Sequence, residues 1–189
     1  MAHALQSPVD LTDYLALEDA SPVRHEYVGG YAHAMVGGSM RHNRISGNIY
    51  SVLLQRTAST PCQVFINDMK LHVQALDSVY YPDVVVLCGI GLAGERKVAS
   101  EATLVVEVLS PSTSGTDRRE KLTVYRKLPG LRSYWIVSQD ERRVELHARS
   151  DDGHWAMSVL SASDDTLSAV GVPGAPLRLA DLYIGTDVT

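Results

Sequence analysis

Two acidic residues stand in segments otherwise built for burial. The run Thr103 to Leu109 reads Thr-Leu-Val-Val-Glu-Val-Leu, and strand alternation places Val105, Glu107 and Leu109 on one face with Leu104, Val106 and Val108 on the other. An ionised carboxylate in such a strand costs several kcal/mol unless it is paired or holds a cation. Asp83 repeats the theme in Tyr81-Pro82-Asp83-Val84-Val85-Val86, where an acid directly after a proline opens an apolar run. Proline has no backbone donor and belongs at a strand's start, which puts Asp83 near one end of a sheet. If the two strands are neighbours, both carboxylates converge on one point, and a hard divalent cation relieves their repulsion by taking oxygen ligands from each. The competing reading has Asp83 capping a turn and Glu107 paired with an arginine.

A third element is Thr116-Asp117-Arg118-Arg119-Glu120-Lys121-Leu122-Thr123-Val124-Tyr125, in which helical spacing sets Asp117, Lys121 and Tyr125 on one face. Taken locally, this is a surface Asp-Lys pair. Its place just after Glu107, on a helix expected to pack back across that strand, makes Lys121 a candidate for the same site. Glu26 either adds a ligand through water or is a strand-end acid near Arg24 or Arg44. His42 either contacts phosphate and moves protons or faces solvent at a helix start. Asp68 is a minor candidate, because Asn67-Asp68 is also an ordinary turn pair.

The elements that must position these residues are readable from periodicity. Leu11 to Glu18 is a short helix, and Arg24 to Val28 with Tyr31 to Val36 flank Gly29-Gly30 as a hairpin. Ile45, Ile49, Val52 and Leu53 predict an amphipathic helix over His42 to Arg56. Strands follow at Gln63 to Ile66, Met69 to Val73, Tyr80 to Leu87 and Thr103 to Leu109. A helix over Asp117 to Lys127 stops at Pro129-Gly130, followed by a strand at Ser133 to Val137 and a hairpin of Val144 to Ala148 with Trp155 to Leu160. A short apolar piece spans Leu177 to Tyr183. This order predicts an α/β (α+β) fold, a mixed sheet flanked by helices in a single domain over 1–189 with its core at about 24–149.

Composition narrows the function classes. Hydrophobic residues at 45% and charged residues at 21% argue against disorder, fibres and membrane spans. Met1 to Asp10 lacks the pattern of a secretory signal, so a cytoplasmic location is expected. The two cysteines, Cys62 and Cys88, are expected as buried thiols rather than a bridge, and they and the seven histidines show no zinc-ligand spacing. A net charge of −5 weighs against strong nucleic-acid binding. Locally, however, Arg41 and Arg44 lie together, and Arg118, Arg119, Lys121, Arg126 and Lys127 crowd one segment, either as a basic groove or as a solvated face.

Several ordered motifs together resemble a known family. Glu26-Tyr27-Val28-Gly29-Gly30, Met35, Gly37-Gly38-Ser39 through His42, Pro82-Asp83, Glu107-Val108-Leu109-Ser110-Pro111-Ser112-Thr113, Asp117 with Lys121 and Tyr125, and Tyr134-Trp135 resemble the Uma-type restriction endonucleases, a branch of the PD-(D/E)XK nuclease superfamily. The resemblance covers Leu11 to Arg149. It implies a restriction-endonuclease-like fold and an Mg²⁺- or Mn²⁺-dependent endonuclease acting on nucleic acid, DNA foremost. In it Asp83, Glu107 and the Val108 carbonyl hold the cation, and Glu26 and His42 are further site candidates. The superfamily's lysine stands two residues after the glutamate, where this chain has Leu109, so Lys121 is its expected replacement from the following helix. Arg41, Arg44, Arg118 and Arg119 are the expected nucleic-acid contacts, and a homodimer is expected because cutting both strands often pairs two sites. The alternative is a nuclease fold without catalysis, serving as a nucleic-acid or protein-binding module.

Overall fold

A computed structural model describes residues 7–89, 94–109 and 120–188. Helix α1 (Leu11–Ala20) starts at Asp10, whose carboxylate accepts the Asp13 N–H at 2.8 Å. Strands β1 (His25–Val28) and β2 (Tyr31–Ala34) form the expected hairpin, with Gly29 and Gly30 at φ of 56° and 91°, a region that L-residues with a Cβ rarely enter. Helix α2 (Met40–Thr57) is capped by Ser39, and its Ile45, Ile49 and Leu53, each one turn apart, are buried. The helix therefore begins two residues before the expected His42, because the Ser39 hydroxyl accepts the His42 N–H.

Then come β3 (Cys62–Ile66), β4 (Lys70–Val73), a single 3₁₀ turn, β5 (Ser78–Tyr80), β6 (Val84–Cys88), β7 (Val98–Ala99) and β8 (Leu104–Leu109). The described part of the next helix is α3 (Leu122–Tyr125), entered through a wider π-type turn at Glu120 and Lys121. It stops short of the expected Lys127, because Lys127 and Leu128 donate to carbonyls only three residues back, the tight winding common at helix ends. Strands β9 (Ser133–Ser138), β10 (Val144–Arg149) and β11 (Trp155–Leu160) follow, then the short pair β12 (Thr166–Leu167) and β13 (Leu177–Arg178) and helix α4 (Leu179–Leu182).

The strands form a six-stranded sheet, β11-β10-β9-β8-β6-β3, a five-stranded sheet, β2-β1-β5-β4-β7, and the β12-β13 pair. Most neighbours are antiparallel; β8 with β9 and β4 with β7 run parallel. One face of the six-stranded sheet packs Val84, Val86, Leu104, Val106 and Trp135 against α2 and α4. The other packs Val85, Val105, Tyr134 and Ile136 against α3 and the five-stranded sheet. This is the expected mixed fold, and no described helix is long and apolar enough to cross a membrane.

Two expectations need correction. Tyr80 to Leu87 is not one strand: β5 belongs to the smaller sheet and β6 to the larger, with Pro82 at the crossing between them. Proline cannot donate to a ladder, so pairing ends on either side of it. The cysteines, expected as thiols, form a disulfide, because antiparallel β3 and β6 place Cys62 directly across from Cys88.

Candidate active site

The ladder between β6 and β8 carries Asp83 to Glu107. Val84 pairs with Val106 and Val85 with Val105, so continuing one step sets Asp83 opposite Glu107, at the end where Pro82 stops the pairing. The Val108 N–H then donates to Asp83 Oδ2 at 2.7 Å, a side-chain continuation of the strand pairing. Glu107 is 4% exposed, on the face turned toward α3 and the smaller sheet.

Two further elements meet these strands. From α3's entry turn, the Lys121 ammonium stands 3.2 Å from Glu107 Oε1 and 2.8 Å from Glu26 Oε1 of β1. One ammonium thus bridges two carboxylates from different sheets. The Glu26 contact is an ion pair without hydrogen-bond alignment, which leaves the buried Oε1 atom unsatisfied by a hydrogen bond. Lys121 also lies over the Tyr80 ring, 5.3 Å from its centre, and Tyr80 donates to Glu120 at 2.8 Å. One turn beyond Lys121, the buried Tyr125 hydroxyl donates to Glu107 Oε1 at 2.8 Å. Burial, then the negative charge of Glu107, push that hydroxyl well above the usual phenol range, so it remains a donor at any working pH.

On the other side, His42 Nε2 in the first turn of α2 is 3.2 Å from Asp83 Oδ2. The ring lies against Gly38, where a Cβ would come within 2.7 Å of His42 Nδ1 and 3.0 Å of Cγ. Glycine at 38 is what allows the imidazole to reach Asp83.

The structure therefore brings together Asp83, Glu107, Lys121, Glu26 and His42, with Val108 presenting its backbone to the same point. Asp68 stands apart, 83% exposed and paired with Arg24 at 2.8 Å. Arg41 is engaged by Asp187 and Asp140, whereas Arg44 makes no ion pair among the described residues. Arg118, Arg119, Asp117 and the Ser110 to Thr113 segment lie outside the described residues. Sequence reasoning assigned no role to Tyr125; its position one turn from Lys121 was the available signal. Gln139, buried at the end of β9 and holding the Ser39 hydroxyl at 2.6 Å, carried no sequence signal.

Comparison with known proteins decides the family. The Uma2 family model, described as "Putative restriction endonuclease", matches residues 11–180. This chain belongs to the Uma2 family. Two Synechocystis relatives are uncharacterized: slr1290 is 32% identical over 87% of this chain and 88% of its own length, and sll1609 is 30% identical over 78% and 85%. The Uma2 fold is also that of a crystal structure from Anabaena variabilis, solved as "a putative nuclease belonging to DUF820", with a TM-score of 0.74 and 19% identity over 93% of this chain and 98% of that one.

The donor set of this Uma2 protein suits a hard cation. Asp83, Glu107 and Glu26 against Lys121 leave a net charge of −2 when His42 is neutral, a deficit that one divalent ion cancels, and the donors are all oxygens. Among the described residues no three acidic, histidine or cysteine side chains are gathered to enclose a metal unaided. Magnesium ordinarily keeps several waters and uses only one or two carboxylates, which matches this arrangement.

Proposed function

We propose that this Uma2 protein is a metal-dependent endonuclease that hydrolyses phosphodiester bonds in nucleic acid, DNA foremost, with Mg²⁺ or Mn²⁺. The observation that carries the reading is the convergence of Asp83 and Glu107 at the end of one ladder, with the Lys121 ammonium 3.2 Å from Glu107. Asp83, Glu107 and the Val108 carbonyl would hold the cation. Such an ion, when bound, lowers the pKa of its water and neutralises charge developing on phosphate.

The chain's own residues supply the rest. Lys121 places a positive charge beside the carboxylates, where it stabilises an anionic phosphate or orients the attacking water. Glu26 holds Lys121 in place from the opposite sheet. The Tyr125 hydroxyl fixes the Glu107 carboxylate, and His42 together with the Val108 N–H fixes Asp83. A carboxylate held on one oxygen keeps a defined orientation for its other. Arg44, and Arg41 once released from its acidic partners, would attract the backbone. A homodimer supplies two sites for two strands; size-exclusion chromatography with light scattering is expected to report it, and a strict monomer would overturn that part.

The test is cleavage of supercoiled plasmid and of labelled DNA and RNA oligonucleotides with Mg²⁺, Mn²⁺ or EDTA. Wild type is expected to cut only with the cation, and Glu107→Gln and Asp83→Asn to lose on the order of 10²-fold or more. Saturating Mn²⁺, at about a hundred times its dissociation constant, should stabilise wild type by about 2.7 kcal/mol and Glu107→Gln by far less. A folded wild type that cuts nothing and ignores both cations would favour the non-catalytic binding module.

A further inference from the structure

Glu18 is a buried carboxylate that the proposed chemistry leaves unused. It is 8% exposed in the last turn of α1, where an acid left without donors would be costly. Its two oxygens accept from the His25 N–H at 2.9 Å, from His25 Nδ1 at 3.0 Å and from the Tyr81 hydroxyl at 2.7 Å. A carboxylate only accepts, so the His25 ring carries a proton on Nδ1. Burial first, and the bond to Glu18 second, push the Tyr81 hydroxyl far above the usual phenol range, which keeps it a donor. From the same helix, the Tyr14 hydroxyl donates to the His25 carbonyl at 2.7 Å.

The places of these donors in the chain give the cluster a meaning beyond packing. His25 directly precedes Glu26, the acid that holds Lys121, and alternation along β1 turns the two side chains to opposite faces of the smaller sheet. Helix α1 covers the outer face, stacking Tyr14 on Tyr27, while Val28, on the same face as Glu26, packs into the core shared by the two sheets. Tyr81 stands at the crossing from β5 to β6, two residues before Asp83. One side chain outside the site thus ties down the backbone leading to Glu26 in one sheet and to Asp83 in the other.

We infer that Glu18 is a positioning residue of the site, acting through His25 and Tyr81 to hold the Glu26–Lys121 arm in register with the Asp83–Glu107 pair. The inference rests on the nuclease reading and deepens it with a residue that touches neither substrate nor cation. The site is assembled from two sheets, so a small slide of one against the other separates Lys121 from one of its two carboxylates. A misplacement of about 1 Å costs on the order of 10²-fold in rate, and the Glu18 clamp resists that slide.

The experiment compares cleavage of labelled oligonucleotides with Mn²⁺ by wild type, Glu18→Gln, Tyr81→Phe, Glu26→Gln and the Glu18→Gln/Glu26→Gln double variant, each below its melting temperature. Tyr81→Phe keeps the ring and loses one bond to Glu18, while Glu18→Gln keeps the shape but turns an amide toward donors. Each of these two should lower kcat about tenfold with KM within about twofold of wild type. The double variant should lose less than the product of its two single losses, because both substitutions act on one arm. If Glu18→Gln does not fold, Tyr81→Phe combined with Glu26→Gln carries the test. Variants within about twofold of a cleaving wild type, or a double loss equal to the product of the single ones, overturn the positioning role and leave the nuclease reading standing. If wild type neither cleaves nor binds Mn²⁺ by electron paramagnetic resonance, both fall.

Discussion

Lys121 is the residue on which the charge balance of the site turns, because it stands between Glu26 and Glu107 with a side chain only 7% exposed. Replacing it with methionine keeps the bulk and leaves two adjacent carboxylates facing each other. Breaking a buried pair in this way costs about 3–5 kcal/mol. Lys121→Met is therefore expected to melt well below wild type at neutral pH, and Mn²⁺ should raise its midpoint more than that of wild type, since a bound cation replaces the lost charge. Equal shifts in differential scanning calorimetry would count against the shared site. At Gly38 the argument is steric: Gly38→Ala forces the His42 ring away from Asp83, so cleavage should fall about tenfold or more with little loss of melting temperature. Asp83 and Glu107 were legible in the sequence because a carboxylate amid β-branched residues contradicts its surroundings. Glu26 as the partner of Lys121 was not, because nothing local links a strand-end acid to a lysine seven strands later in the chain.

Among the elements, the β3–β6 pair depends on more than its ladder, since the Cys62–Cys88 bridge closes the intervening segment at a sequence separation of 26. A loop of that size contributes roughly 3 kcal/mol through the entropy of the unfolded chain. Denaturant unfolding with and without dithiothreitol should show a loss of about 2–4 kcal/mol on reduction, and Cys62→Ala should unfold at one midpoint in both conditions. An unchanged wild-type midpoint would mean that the cysteines are not joined in solution. The longer hairpins, helices and strands were readable from period and turn residues, whereas the short strands β7, β12 and β13 and helix α4 were not. The division of Tyr80 to Leu87 between two sheets was not, because both halves are apolar and buried and only Pro82 marks the crossing.

For the molecule as a whole, His147 supplies an acid-side limit on stability. It lies on β10 against the Tyr134 ring of β9, near Arg126 beyond α3 and Glu145 on its own strand. Burial first, and Arg126 second, lower its pKa from the ordinary 6.5, while Glu145 opposes them. The unfolded chain therefore takes up a proton near pH 6.5 that the fold resists, so this residue's contribution is intact above that pH and erodes as the pH falls through the window below it. The slope for one proton is at most about 1.4 kcal/mol per pH unit. Urea titrations between pH 8 and 5 should show wild type weakening below pH 6.5, and His147→Gln should weaken less steeply.

By itself the sequence determined the kinds of element, their order, the carboxylates out of place in buried strands, and the ordered motifs of the family, because these depend on neighbours a few residues apart and on the period of the backbone. Tertiary structure alone decided which sheet each strand joined, that Cys62 faces Cys88, that one lysine serves two glutamates, and that Arg41 is held by Asp187. Each of those depends on segments far apart in the chain meeting in space, and packing of a shared core, which no local pattern records, is what brings them together.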